Sequence, residues 1–449
     1  MSADQNLRQR LSGLWRRVRH WLRVQFGAVP LLGWLAGALV AVLLEMFLGT
    51  PLARLLGMSK PPVLFGFTVV LKTPAYIPSV LAYVLLIYIL PVALVARFSI
   101  RPANRLAGGL MRTSTLLSVA VHLALLYATL HLWAGLSDYR LLVVRLMLIA
   151  VMLTLSLNVV NGYMGEFSCS HPGFMALGAY AASVFTIVLF AQDNTFGAPL
   201  LPAGLGPFIF PLGLILGGGL AAVGALLVAI PSFRTRGDYL AIISLAFMFI
   251  VKSLFENLEI VGGARGLGGQ PDWAGLPIVF AWAVICVWTI NNFVRSTMGK
   301  ALNAVRDGEL AADAMTVDTS RTKMVAFLFA AFWAGVAGGL FAHVLRYVNP
   351  GTFDLKKLAE VLAMVYLGGL NSVVGSIVGA VSYNLLSEAL RPLELYKWII
   401  IPLLLILVMI FRPTGMIAFR EFDVVRLLQP KKPAPEVVIP GSVEPQAGG

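Results

Sequence analysis

Residues 158–171, NVVNGYMGEFSCSH, gather polar side chains inside an otherwise apolar stretch. Asn158 and Asn161 stand about one helical turn apart and so share a face. Glu166, Ser168, Ser170 and His171 follow before Pro172. A second polar knot, GGLNS over residues 368–372, carries Asn371. Amides and hydroxyls in such surroundings hydrogen-bond without ionising. They can act as donors along a polar path, or they can tie one helix to its neighbour. Glu166 likewise has two readings: it lines such a path and meets an amino group, or it sits at the inner interface paired with a nearby arginine. Chemistry of other kinds has no matching pattern. The five histidines are scattered without metal-ligand spacing, and no His–Asp or paired-Asp set falls within the apolar runs. The run GGARGLGG over residues 262–269 resembles a phosphate loop only superficially, and no Walker lysine motif is present. We therefore assign no catalytic residue, no metal ligand and no cofactor.

The elements that must position these groups are membrane helices. Of 449 residues, 59% are hydrophobic and 12% charged, a balance outside the soluble range, so the chain is an all-α polytopic transmembrane bundle. A span needs about 20 apolar residues. About ten full spans are expected, at residues 31–48, 76–96, 115–136, 141–163, 172–191, 207–231, 239–257, 276–293, 324–345 and 395–411. The net charge of +13 calls for no nucleic acid, because the basic residues cluster between apolar runs as the positive-inside rule requires. Arg97, Arg101, Arg105 and Arg112 mark one inner loop, Arg234 and Arg236 another, and Arg295, Lys300, Arg306, Arg321 and Lys323 a third. Arg145 and His122, in or beside apolar runs, are open to a functional reading and equally to snorkelling or interhelical bonding. Lys252 and Glu256 read as a local i, i+4 pair. Cys169 and Cys286 lie in or beside apolar segments, which does not suggest a disulfide framework.

The organisation follows. Residues 1–29 form a basic amphipathic helix, with Leu7, Leu11, Leu14, Trp15, Val18, Trp21, Leu22 and Phe26 on one stripe, suited to an anionic leaflet. Residues 30–136 carry accessory spans, residues 137–415 a core membrane domain, and residues 416–449 a cytoplasmic tail that is partly disordered. Both termini read as inside, which demands an even number of crossings. The block 358–390 is too long for one span and is broken by Gly368, Gly369 and Gly375. We read it as re-entrant; the rival reading is a single tilted, glycine-kinked helix. Irregular backbone at that depth is tolerated only inside protein or beside water.

The charged island at residues 295–323 is unlike a plain loop. Ala301, Leu302, Ala304 and Val305 give one short apolar face, and Leu310, Ala311, Ala314 and Met315 a second, with Gly308 as a bend between them. A loop that folds into amphipathic helices has something to dock against.

Several long motifs carry a resemblance. The run RGDYLAIISLAF over 236–247, VGGARGL over 261–267, MGKALNAVRDGELAA over 298–312, residues 326–348, VYLGGLNS over 365–372 and RPTG over 412–415 resemble the permeases of branched-chain amino acid ABC importers. They are closer to the M-type subunit than to the H-type, and the resemblance covers roughly residues 145–420. It implies a type II importer fold and a division of labour. An extracytoplasmic binding protein captures the substrate, a heterodimer with a second homologous permease forms the path, and two ATPases drive it from the cytoplasmic side of a bacterial inner membrane. On that reading Gly299, Ala301, Leu302, Val305, Arg306, Gly308, Glu309 and Ala312 couple to the ATPase. Asn158, Asn161, Glu166, Ser168 and Asn371 lie along the path. The chain departs from the family where Glu166 and Ser170 replace the usual Gln and Gly, and where Met248 and Phe249 replace a Gly-Glu pair. These changes bear on the substrate, with urea, short amides or other amino acids as alternatives. A stand-alone channel or secondary transporter is the rival class, and it would not need the docking helices.

Overall fold

The computed structural model describes residues 24–62, 73–192, 197–233, 239–412, 415–419 and 422–431. The expected surface helix at 1–29, apart from its last residues, lies outside them, as do the basic pair Arg234 and Arg236 and the tail beyond residue 431. Among the described residues the chain is almost wholly helical, and nine helices are long and apolar enough to cross a membrane. The chain divides into two compact units.

The first unit contains residues 1–66, 75–136 and 423–449. Its helices are α1 (Leu31–Leu55), α2 (Pro74–Phe98), α3 (Ile100–Thr113) and α4 (Thr115–Ala134), closed by the short C-terminal α16 (Val424–Leu428). α2 widens into a π-turn at Leu85–Ile89. There Tyr88 donates to the buried Glu45 carboxylate of α1 at 2.5 Å, and Trp133 of α4 donates to the Tyr88 hydroxyl at 3.3 Å. These bonds satisfy polar groups that would be costly bare in lipid.

The second unit contains residues 67–74 and 137–422. Its spans are α5 (Asp138–Met164), α6 (His171–Phe190), α7 (Gly206–Ser232), α8 (Tyr239–Asn257), α9 (Leu276–Arg295) and α12 (Thr319–Leu345). Its core is the packing of α6, α7 and α12, and small residues make it possible. A Cβ at Gly178 would lie 2.0 Å from the Gly335 carbonyl, and one at Gly338 would lie 2.0 Å from the Met175 carbonyl. In lipid, where apolar surface gains nothing by leaving water, such close backbone approach supplies the van der Waals contact that holds helices together.

The block 358–390 forms two helices, α13 (Leu355–Gly368) and α14 (Val373–Ala389), and not one kinked helix. Gly369 (φ 123°) and Asn371 (φ 54°) adopt the left-handed backbone that reverses the chain between them. The helices fold back on each other closely: a Cβ at Gly379 would lie 2.1 Å from the Met364 carbonyl. α13 has 14 residues, about 21 Å at 1.5 Å per residue, which is short of the bilayer core. The last expected span coincides with α15 (Glu394–Phe411), although its shorter apolar stretch is Ile399–Phe411. Beyond α15 the chain doubles back onto the α13–α14 turn. Met416 N donates to Leu367 O (3.1 Å) and Ile417 N to Gly368 O (2.8 Å), capping carbonyls that the end of α13 leaves unpaired.

At the opposite end of this unit, two-residue strands β1 (Leu267–Gly268) and β2 (Tyr347–Val348) pair antiparallel. Arg145, on α5, reaches Asp272 at 3.9 Å and the Ala274 carbonyl at 3.5 Å. Lys252 and Glu256 form the expected i, i+4 pair at 3.9 Å.

Candidate functional site

The polar stretch at 158–171 is a true break between spans. The last turn of α5 loosens into a π-turn over Val159–Met164 and stops at Gly165, which is left-handed at φ 78°. Residues 165–170 are irregular, and Pro172 in the first turn starts α6. Irregular backbone leaves groups to be satisfied, and the two asparagines supply partners. The Asn158 amide nitrogen lies 2.6 Å from Ser376 Oγ, 3.1 Å from Ser372 O and 3.4 Å from Gly369 O, while its oxygen accepts from Asn371 N at 3.1 Å. Two amide hydrogens thus serve three acceptors, with Ser376 nearest. One side chain on α5 thereby pins the α13–α14 turn. Space there is tight, since a Cβ at Gly162 would fall 1.9 Å from Asn158 Oδ1.

Asn161 accepts from Ser168 N at 3.3 Å, and Ser168 Oγ meets Ser170 Oγ at 2.9 Å. The Asn161 nitrogen makes no hydrogen bond of normal geometry, although Tyr366 lies beside it. Asn158, Asn161 and Ser168 are buried, and Asn371 is partly exposed. A cavity of about 420 Å³ lies elsewhere, among Tyr180, Phe185, Leu216 and Phe255, and none of the expected path residues lines it.

The charged island folds into two helices, α10 (Thr297–Asp307) and α11 (Glu309–Ala314). Ser296 Oγ caps α10 by accepting from Gly299 N at 3.4 Å. Gly308 separates the helices in extended backbone. The orientation divides the expected docking set between buried and exposed positions. Gly299, Leu302, Val305 and Ala312 are buried in this chain's own bundle, and a Cβ at Gly299 would lie 2.1 Å from the Val294 carbonyl. The first apolar face therefore attaches the loop to its own spans, because an amphipathic stripe beside a bundle buries itself there first. Ala301 and Gly308 are half-buried. The surface left open is the second face, with Leu310 74% and Met315 76% exposed and Ala311 and Ala314 between them.

The charged members of the set also make bonds within the chain. Arg306 donates to the Gly162 carbonyl at 3.3 Å, pairs with Asp307 at 2.8 Å and stands 5.6 Å over the Phe419 ring. Glu166 pairs with Lys323 at 2.7 Å, so its partner is a lysine and not the arginine expected, and Lys323 also holds Glu309 at 2.9 Å. Lys323 was legible only as a marker of an inner loop. The missed signal was its place in the second turn of an apolar helix, where an ammonium needs an anionic partner. The five expected path residues and the loop 295–323 thus meet at one end of the bundle. Among the described residues no three His, Cys, Asp or Glu side chains cluster as metal ligands, and both cysteines are free and buried.

An almost wholly helical chain with nine candidate spans among the described residues, two broken polar segments joined through Asn158 and an amphipathic loop tied to the first of them is a polytopic membrane protein of the permease class. Residues 139–410 match the family of branched-chain amino acid transport system permease components, and the chain belongs to that family. It is 32% identical over 310 residues to the high-affinity branched-chain amino acid transport system permease protein LivM of Escherichia coli K12, covering 61% of this chain and 69% of that one. The LivM protein of Salmonella typhimurium LT2 is 32% identical over 305 residues, covering 60% and 68%. The LivH protein of Escherichia coli K12 is 24% identical over 292 residues, covering 61% and 92%. The lean toward the M-type agrees with the motifs. No solved structure matches the chain.

Proposed function

We propose that this chain is a membrane-spanning permease subunit of an ABC importer for branched-chain amino acids. An extracytoplasmic binding protein delivers the substrate, a second homologous permease completes the path, and two ATPases dock on the cytoplasmic side. The observation that carries the reading is the loop 295–323: one face of it is anchored in the bundle while Leu310 and Met315 stand exposed on the other. Exposed apolar side chains on an ordered, charged loop suit a protein partner and not lipid. The basic residues at this end support a cytoplasmic orientation, with both termini on the same side and the α13–α14 hairpin re-entrant from the other. The substrate assignment is supported by the LivM and LivH relatives.

The test is uptake in a deletion strain of the source organism. Wild-type chain should restore ATP-dependent uptake of radiolabelled leucine, isoleucine and valine. Unlabelled urea and aromatic amino acids should compete poorly; effective competition by either would move the substrate class. A Leu310→Glu variant, carrying a charge into an apolar docking contact, should lower uptake roughly tenfold or more and weaken recovery of the ATPase with the membrane complex. Undiminished uptake by that variant would remove the docking assignment.

A further inference from the structure

Lys323 sits where two separate pieces of the chain converge. Its ammonium lies 2.7 Å from Glu166 on the α5–α6 connection and 2.9 Å from Glu309 at the start of α11. The lysine side chain is 9% exposed, Glu166 23% and Glu309 50%. The wetter arm therefore belongs to α11, which presents Leu310 at the surface. The drier arm belongs to the connection whose irregular backbone Asn158 and Asn161 hold. One cation is shared by two anions, so the cluster carries a net negative charge, and the ammonium's three N–H donors serve both carboxylates at once. Such an arrangement is a poor choice for stability alone. An apolar residue of similar volume would avoid the cost of desolvating an ammonium, and a half-exposed ion pair contributes little. It is a good choice for joining two segments that move, because the ammonium can follow either carboxylate without leaving the other unpaired.

A second tie runs parallel to the first. Arg306, on α10, donates to the Gly162 carbonyl at 3.3 Å, and Gly165 packs so closely on its methylenes that a Cβ there would lie 2.4 Å from Arg306 Cγ. Both helices of the loop thus touch the same connection, α10 through a neutral carbonyl and α11 through the shared lysine.

We propose that Lys323 is the positioning residue that transmits motion of the ATPase-facing helices to the α5–α6 break. A shift of α11 draws the Lys323 ammonium between Glu309 and Glu166, and the connection 162–170 moves with it, changing access at that end of the path. This rests on the permease reading above and deepens it by naming the side chain that links hydrolysis to transport.

The experiment uses the complete transporter, purified from its host with partner subunits and reconstituted in liposomes with its binding protein. ATP hydrolysis and uptake of radiolabelled leucine, isoleucine and valine are measured together, since shared position alone is no proof of coupling. Lys323→Met keeps the length of the side chain and removes the charge. It should retain at least about half of the hydrolysis rate while uptake falls roughly tenfold, raising the ATP consumed per molecule transported about fivefold or more. Lys323→Arg, which can still meet both carboxylates, should return that ratio to within about twofold of wild type. If Lys323→Met does not assemble, Glu166→Gln decides by the same ratio, which should rise. A wild-type ratio in Lys323→Met, or in Glu166→Gln where that variant is the one that assembles, would overturn the inference and leave the permease reading standing. A wild-type complex that hydrolyses ATP yet takes up none of the three amino acids would bring down the reading itself.

Discussion

The two ends of the core bundle are held by different kinds of bond. At the end carrying Ser183 and His343, buried neutral bonds tie separate segments together, and the ion pairs are either long, at 3.9 Å (Arg145–Asp272, Lys252–Glu256), or local to one turn (Lys357–Glu360). Gln270 donates to Ser183 Oγ at 3.2 Å, and Thr186 Oγ1 meets His343 Nε2 at 2.9 Å. His343 Nδ1 lies 2.7 Å from the Gly339 carbonyl, which can only accept, so Nδ1 carries the proton and Nε2 accepts from Thr186. At the end carrying Glu166 and Lys323, the buried neutral bonds of Asn158 are joined by close ionic contacts that are partly wet, and the backbone is broken in two places. Neutral bonds in a dry core have one good arrangement. Ion pairs at a half-exposed surface have several of similar energy. The difference teaches that the same helices can be fixed at one end and free to exchange partners at the other.

The largest effect that sharpens this comparison is expected at Asn158, where the two breaks are joined. Asn158→Ala removes the acceptor for Asn371 N and the donors reaching Ser376 Oγ and Ser372 O, and leaves a cavity between α5 and the α13–α14 turn. We expect a loss of about 2–4 kcal/mol. Thermal unfolding of the purified protein should fall by roughly 2–4 °C. An unchanged melting temperature would mean that the turn is held by the Met416–Phe419 segment alone.

Much of this arrangement was legible in the chain and part of it was not. Spans such as 207–231 and 324–345 stand out because they are uninterrupted apolar runs of bilayer length, and they correspond to α7 and α12. The doubling of 358–390 was legible because glycines interrupt a block too long for one crossing and the charges at its two ends must be reconciled. The convergence of Asn158 with Asn371 joins residues more than 200 positions apart. Only their common placement beside breaks hinted at it. The loop 295–323 shows where pattern stops. Two apolar faces of similar length give the same periodicity whether they bury against their own bundle or await a partner, so Leu302 and Leu310 look alike in sequence and differ wholly in exposure. The cap that Met416 and Ile417 place on α13 is made by backbone atoms, which carry no side-chain signature.

The comparison also predicts an intermediate effect at the opposite end. Thr186→Val keeps the shape of the side chain and removes the hydroxyl, leaving the buried His343 Nε2 without its donor. The cost should be about 1–2 kcal/mol. Because this end is read as the fixed one, the variant should lower stability and leave the ATP consumed per amino acid transported at the wild-type value. A changed ratio in Thr186→Val would break the comparison, since coupling would then extend through the whole bundle.

The smallest effect on stability, and the most informative about passage, is expected at Asn161. Its oxygen accepts a single 3.3 Å bond from Ser168 N, and its nitrogen already lacks a well-formed partner. Asn161→Ala therefore gives up little and removes an unsatisfied group, so stability should stay within about 1 kcal/mol of wild type. A buried amide with an unused donor, placed where the backbone of two segments is broken, is better suited to meet a passing polar solute than to hold helices together. Its companion is Asn371, whose backbone is left-handed at φ 54°, so glycine is the substitution that removes the amide without strain. The Asn161→Ala, Asn371→Gly double variant should assemble normally and lower the maximal uptake rate about fivefold. On the proposed reading, in which a binding protein delivers the substrate and sets the apparent affinity, that affinity should hardly move. A wild-type maximal rate would assign both amides to packing alone, and a weakened apparent affinity with an unchanged rate would place a substrate-binding step inside the permease.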